Sequence, residues 1–141
     1  MKHRWIVLVL LLSGIVNGFP LIGVLSGATL ERLYGLTIAD PNLLILMRHR
    51  AVLFGLLGAL LFAAIFVRSW RGAAITAGLV SMLSFCALAW LQGEHNPAIT
   101  RLFWIDLVMS IGLASAGVLH CSIHQAPLNR PAHPETPAPP R

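Results

Sequence analysis

Apolar residues fall along the chain in four long runs, and the polar residues between them carry helix start and stop signals. The first run, Trp5 to Ser26, follows the basic start Met1-Lys-His-Arg4 and has the outline of a signal peptide. Its apolar character continues past Asn17-Gly18-Phe19-Pro20 to Leu25, and no clean small-x-small site follows the core, which favours an uncleaved spanning helix. Pro20 removes one backbone donor and predicts a kink. Gly14/Gly18 and Gly23/Gly27 are small-xxx-small pairs, read either as a close helix seam or as ordinary membrane-helix composition. In the connection Ala28 to Ala39, Leu30, Leu33 and Tyr34 recur at helical spacing, predicting a short interfacial helix broken at Gly35.

The second run, Asp40 to Val67, organises the rest. Asp40 can accept an orphan amide as an N-cap, and Pro41 gives up nothing at the first helical position. About 27 residues make a helix of roughly 40 Å, longer than the roughly 30 Å of a bilayer core. Only Ala51 to Val67 is free of charge, so Arg48-His49-Arg50 belongs near one membrane face. A third run, Gly72 to Leu91, ends in the polar turn Gln92 to Asn96, and Asn96-Pro97 repeats the cap-plus-proline start for a fourth helix to about Leu119. Beyond it, Gln125 to Arg141 holds six of the nine prolines and is expected to be disordered. The pattern predicts an all-α, integral membrane, four-helix up-down bundle with spans near 5–26, 45–67, 72–91 and 99–119, a transmembrane domain over 1–122 and a Pro-rich tail over 123–141.

Orientation follows from the Lys and Arg residues that flank the spans. Lys2, Arg4, Arg68, Arg71, Arg130 and Arg141 gather on one side, and Arg32, Arg48, Arg50 and Arg101 on the other, where Glu31, Asp40, Glu94 and Asp106 also fall. The bias places both termini and the tail in the cytoplasm of a bacterial inner membrane. Trp5 and Trp70 then mark the inner ends of helices, and Trp90 and Trp104 the outer region.

Composition agrees: 57% of residues are hydrophobic, 11% are charged and mean hydropathy is +0.78, against about a quarter charged in a soluble domain. The net charge of +5 and pI near 10.7 do not point to nucleic acid, because the basic residues form no stripe with interleaved aromatics. Cys86 and Cys121 belong at different depths, which argues against a disulfide.

Candidate chemistry lies at the outer polar layer. Arg50 follows Pro41 by nine residues and Asp106 follows Pro97 by nine, which predicts one depth and an ion pair. Asp106, flanked by Phe103, Trp104, Ile105 and Leu107, has to be paired or protonated. Arg48 and Arg50 are about 200° apart on the helix, so one snorkels to lipid phosphates. The functional reading is a pocket built from Arg48, His49, Arg50, Glu94, His95, Arg101 and Asp106, which holds an anionic or quinone-like headgroup or relays a proton. The competing reading is that these charges only pin helix ends and register. His120-Cys121-x-x-His124 is a weak metal candidate that lacks a fourth ligand in sequence. No nucleophile elbow, phosphate loop or zinc spacing occurs, and the sequence names no cofactor.

Asp40-Pro41-Asn42-Leu43, then Leu46 to Gly58 with its arginine ahead of a Gly-x-x-Gly, and Phe103-Trp104-Ile105-Asp106-Leu107 resemble the small four-helix bacterial membrane proteins of the DoxX-like group, over roughly Gly14 to Leu119. The resemblance implies fold more than activity. Relatives of this kind sometimes carry a phosphopantetheine adenylyltransferase name, but no His-x-Gly-His motif or soluble nucleotide-binding fold is present. The expected function is that of a non-enzymatic accessory or scaffold subunit whose polar periplasmic-side layer contacts a membrane-protein partner, a second copy or a lipid headgroup. The alternative is a lipid- or quinone-binding protein, or oxidoreductase partner, using Arg48, Arg50 and Asp106.

Overall fold

The computed structural model describes residues 1–125, and the expected tail from 126 onward lies outside them. Every element in the described residues is helical: α1 (Lys2–Gly18), a 3₁₀ stretch (Phe19–Val24), α2 (Gly27–Tyr34), α3 (Pro41–Phe66), a 3₁₀ turn (Arg68–Trp70), α4 (Arg71–Gln92) and α5 (Pro97–Gln125). Four segments, Lys2–Val24, Pro41–Phe66, Arg68–Gln92 and Pro97–Ser122, are long and apolar enough to cross a membrane.

The caps form as their chemistry dictates. Asp40 Oδ1 accepts from Asn42 N at 2.8 Å, and Asn96 Oδ1 accepts from Ile99 N at 2.9 Å, so both proline-led helices open on a side-chain cap. Ser26 Oγ accepts from Thr29 N at the start of α2, and Gly35 ends that helix at φ 62°, a left-handed conformation that favours glycine. Around Pro20 the regular α-helix is interrupted: α1 ends at Gly18 and a 3₁₀ stretch follows over Phe19–Val24. The last helix runs to Gln125, beyond the end expected near Leu119, so residues 123–125 belong to α5 and not to the tail. The charge-free continuation Ser115 to Leu119 supplies no stop signal, and no proline occurs before Pro127.

α1 packs against α3 and α5, and α4 packs against α5 and α3. The core comprises Ile6, Val9 and Leu10 of α1, Leu61 and Ala64 of α3, Ala74, Ile75 and Met82 of α4, and Leu113 and Ala116 of α5. Only 22% of the apolar window of Pro41–Phe66 and 17% of that of Pro97–Ser122 is buried within the molecule. Many of their remaining apolar side chains are exposed on the outer faces of the helices.

The α1/α3 seam is built on glycine. A Cβ on Gly58 would sit 2.9 Å from the backbone of Gly18 and 3.0 Å from the carbonyl oxygen of Gly14, so the two backbones touch with no side chain between them. The Gly14/Gly18 pair thus serves a contact within the chain. At the far end of α3, Arg71, only 4% exposed, donates from Nε to the Ala64 carbonyl and from Nη2 to the Ile65 carbonyl, each at 3.0 Å. Those are two of the carbonyls that a helix C-terminus leaves without partners. Its Nη1 reaches His3 Nδ1 at 3.1 Å. Because a guanidinium can only donate, that nitrogen accepts and the imidazole is neutral.

Gly58→Ala should destabilise the folded protein by about 1–3 kcal/mol, because backbone cannot yield as a side chain does. Gly72→Ala, where a Cβ meets nothing within 4 Å, should be neutral or stabilising by about 0.5–1 kcal/mol. Thermal unfolding of both variants in detergent checks the contrast. Arg71→Ala, measured the same way, should cost about 2–3 kcal/mol through two orphaned carbonyls.

Candidate functional site

The polar layer is assembled where α2 folds over the bundle. Leu30 and Tyr34 of α2 are buried at 0% and 3% exposure. Asn96 Nδ2 donates to the Tyr34 carbonyl at 2.9 Å and the Gly35 carbonyl at 3.2 Å, tying the end of α2 to the start of α5. Glu31 Oε1 accepts from Ile38 N at 2.7 Å and closes the loop that leads into α3.

This docking sets Tyr34 against Arg50. The guanidinium carbon of Arg50 lies 5.2 Å from the ring centre of Tyr34, 5.1 Å from that of Phe54 and 5.8 Å from that of Phe85, giving one cation three aromatic neighbours. Such contacts strengthen as water is removed. Burial raises the Tyr34 phenol above its ordinary pKa, with Arg50 opposing the rise and Asp106 adding to it, so the phenol stays neutral.

Tyr34, Arg50 and Asp106 line one half-open pocket of about 40 Å³ together with Asn17 of α1. That is room for a few water molecules, each of which needs roughly 10–15 Å³. The expected co-location of Arg50 and Asp106 is therefore present, but the expected ion pair is not: among the described residues Asp106 forms no hydrogen bond or salt bridge with a protein group. The aromatic rings have taken the cation that the spacing assigned to the carboxylate. Asn17 Nδ2 is occupied by the Ser13 carbonyl at 2.9 Å.

Two open grooves adjoin this pocket. One, of about 560 Å³ between α3 and α4, has Arg50 and Phe85 at its inner wall and Ser81, Ser84, Gln92 and His95 around it. His95 Nδ1 donates to the Gly93 carbonyl at 2.8 Å. The other, of about 290 Å³, lies between α1, α2 and α5 and is lined by Arg32 and Arg101 among apolar residues.

The structure thus divides the residues expected to form one pocket. Arg50 and Asp106 meet inside, His95 joins Arg50 on the α3/α4 side, and Arg101 belongs to the other groove. Arg48, His49 and Glu94 are exposed and line none of the three, in keeping with the roughly 200° between Arg48 and Arg50. Among the described residues no three His, Cys, Asp or Glu side chains converge as a metal site. Of the His120, Cys121 and His124 group, Cys121 is exposed and His120 half-buried on α5, while the side chain of His124 lies outside the described residues. Both Cys86 and Cys121 are free.

Sequence reasoning missed the aromatic enclosure. Phe54 was within reach, lying four residues after Arg50 and hence on the same helix face. Tyr34 and Phe85 come from other elements, and no spacing announces them. Comparison of the chain with known protein families, with characterised proteins and with solved structures finds no match.

Exchanging the charges, Arg50→Asp with Asp106→Arg, should fail to restore the stability lost by Arg50→Asp alone, because a carboxylate would face the rings of Tyr34, Phe54 and Phe85. A double-mutant cycle on unfolding free energy measures this, and full recovery would indicate that a direct ion pair governs the site.

Proposed function

We propose that the chain is a multi-pass protein of the bacterial inner membrane, of DoxX-like type, with four spans alternating in direction and both termini in the cytoplasm. The lysine and arginine distribution supports that orientation. Packing of Ile6, Val9 and Leu10 into the core supports retention of the first span. Its role is that of a non-enzymatic accessory that holds the headgroup of a small amphiphile, quinone-like in carrying carbonyl acceptors, at the Arg50/Asp106 layer.

One observation carries this reading: within the spans, Arg50 and Asp106 share a cavity yet spend no hydrogen bond on each other or on any other described group. Ionisable side chains inside a membrane bundle are costly and ordinarily find partners. Arg50 offers guanidinium donors at the wall of a groove whose size falls in the usual range for ligand sites. Asp106 supplies the acceptor behind it. Phe85 and Phe54 provide faces on which a planar ring can lie.

Protein purified in mild detergent from cells with their native quinone pool should carry about one bound amphiphile per chain by native mass spectrometry. Asp106→Asn and Arg50→Gln should each lower that occupancy by about tenfold or more while the bundle still unfolds cooperatively. An empty wild-type protein, with Asp106→Asn altering only thermal stability, would leave the layer a purely structural role.

A further inference from the structure

We propose that the groove between α1, α2 and α5 is a separate binding site for an anionic glycerophospholipid, with the phosphate held by Arg32 and Arg101 and an acyl chain along Ile15, Phe19 and Ile105. Its arginines are not those of the Arg50/Asp106 layer, although Val16, Pro20, Tyr34 and Leu102 form a wall common to both.

Charge is the first ground. Arg32 in the last turn of α2 and Arg101 in the second turn of α5 line the same groove, no acidic residue lines it, and neither arginine has a salt bridge or hydrogen bond among the described residues. Glu31, the nearest acid in sequence to Arg32, is engaged by Ile38 N. Both arginines are exposed at this groove, so two guanidiniums with no acidic partner of the protein's own are open to an incoming anion. A phosphodiester suits such a pair, since the guanidinium fork matches phosphate oxygens in pairs.

Depth is the second. Arg101 lies four residues, about 6 Å, into α5 from Pro97, at the end of the span where Asn96 ties down α2. Headgroups reside at such an end, and the apolar wall continues from there toward the middle of the bilayer through Leu102 and Ile105. Ile15, Phe19 and Ile105 are 51%, 57% and 37% exposed on segments able to span, so the groove is accessible from lipid. Its volume of about 290 Å³ suits part of one acyl chain and is small for a packed helix. Contact with an acyl chain is no more favourable there than in bulk lipid, so selectivity must come from the two arginines.

Nanodiscs containing equal phosphatidylglycerol and phosphatidylcholine, followed by native mass spectrometry after gentle release, provide the test. Wild-type protein should retain phosphatidylglycerol over phosphatidylcholine by about tenfold, and Arg32→Gln with Arg101→Gln should reduce that preference to about twofold or less. Arg4→Gln with Arg68→Gln removes the same charge from exposed positions outside the groove and should leave the preference intact. Ile105→Trp, which fills the groove with both arginines present, should abolish it, and Asp106→Asn should not change it. Equal retention of the two lipids by wild type overturns the proposal, as does loss of preference in the Arg4/Arg68 variant or full retention in Ile105→Trp. Loss of quinone occupancy without loss of phosphatidylglycerol separates this site from the inner layer.

Discussion

A guanidinium within an apolar bundle persists only if something takes up its charge or its donors, and this molecule meets that requirement twice by different means. Arg71 directs its donors at the carbonyls left over where α3 ends and at a neutral imidazole on α1. Three elements are thereby joined by one side chain at one end of the bundle. Arg50 is instead given the faces of three rings, which attract the cation while occupying none of its N–H groups. The first arrangement is saturated and structural. The second leaves donors unused beside a cavity, which is why candidate chemistry falls at that end.

The polar layer in turn depends on two local features that bring its parts together. Glycine at positions 14, 18 and 58 lets α1 approach α3 until backbones touch, which sets Asn17 beside the pocket that Arg50 enters from α3. The side-chain amide of Asn96 holds the end of α2 against α5, and this places the Tyr34 ring over the guanidinium. Neither feature touches the pocket's charged atoms, yet each determines which groups face them.

Much of the architecture was legible because the signals were local. Asp40-Pro41 and Asn96-Pro97 marked helix starts to the residue, Gly35 marked the end of α2, and four apolar runs of spanning length marked the long helices. The equal offsets of Arg50 and Asp106 from their prolines agree with the one pocket that both line. What they could not give was the partner, because pairing depends on which neighbouring helix presents a ring, and Phe85 sits on α4 with no periodicity tying it to Arg50. Arg71 looked like one more basic residue at a span boundary, since its burial arises only from the tight turn that folds α4 back on α3. Grouping Arg48, His49, Glu94 and Arg101 with the inner pair failed for the same reason: nearness in depth says nothing about azimuth around the bundle.

The 3₁₀ turn Arg68–Trp70 closes α3 and α4 together at one end, while the large groove containing Ser81, Ser84 and His95 separates them toward the other. In a pair joined only at one end, geometry makes the displacement from any tilt smallest at the turn and largest at the far tip. The 22 residues of α4 make an arm of about 33 Å, so a tilt of about 5° at the closed end moves the opposite tip by about 3 Å. The joint and the widest separation of the two helices therefore lie at opposite ends of α4, with Arg50 at the open end.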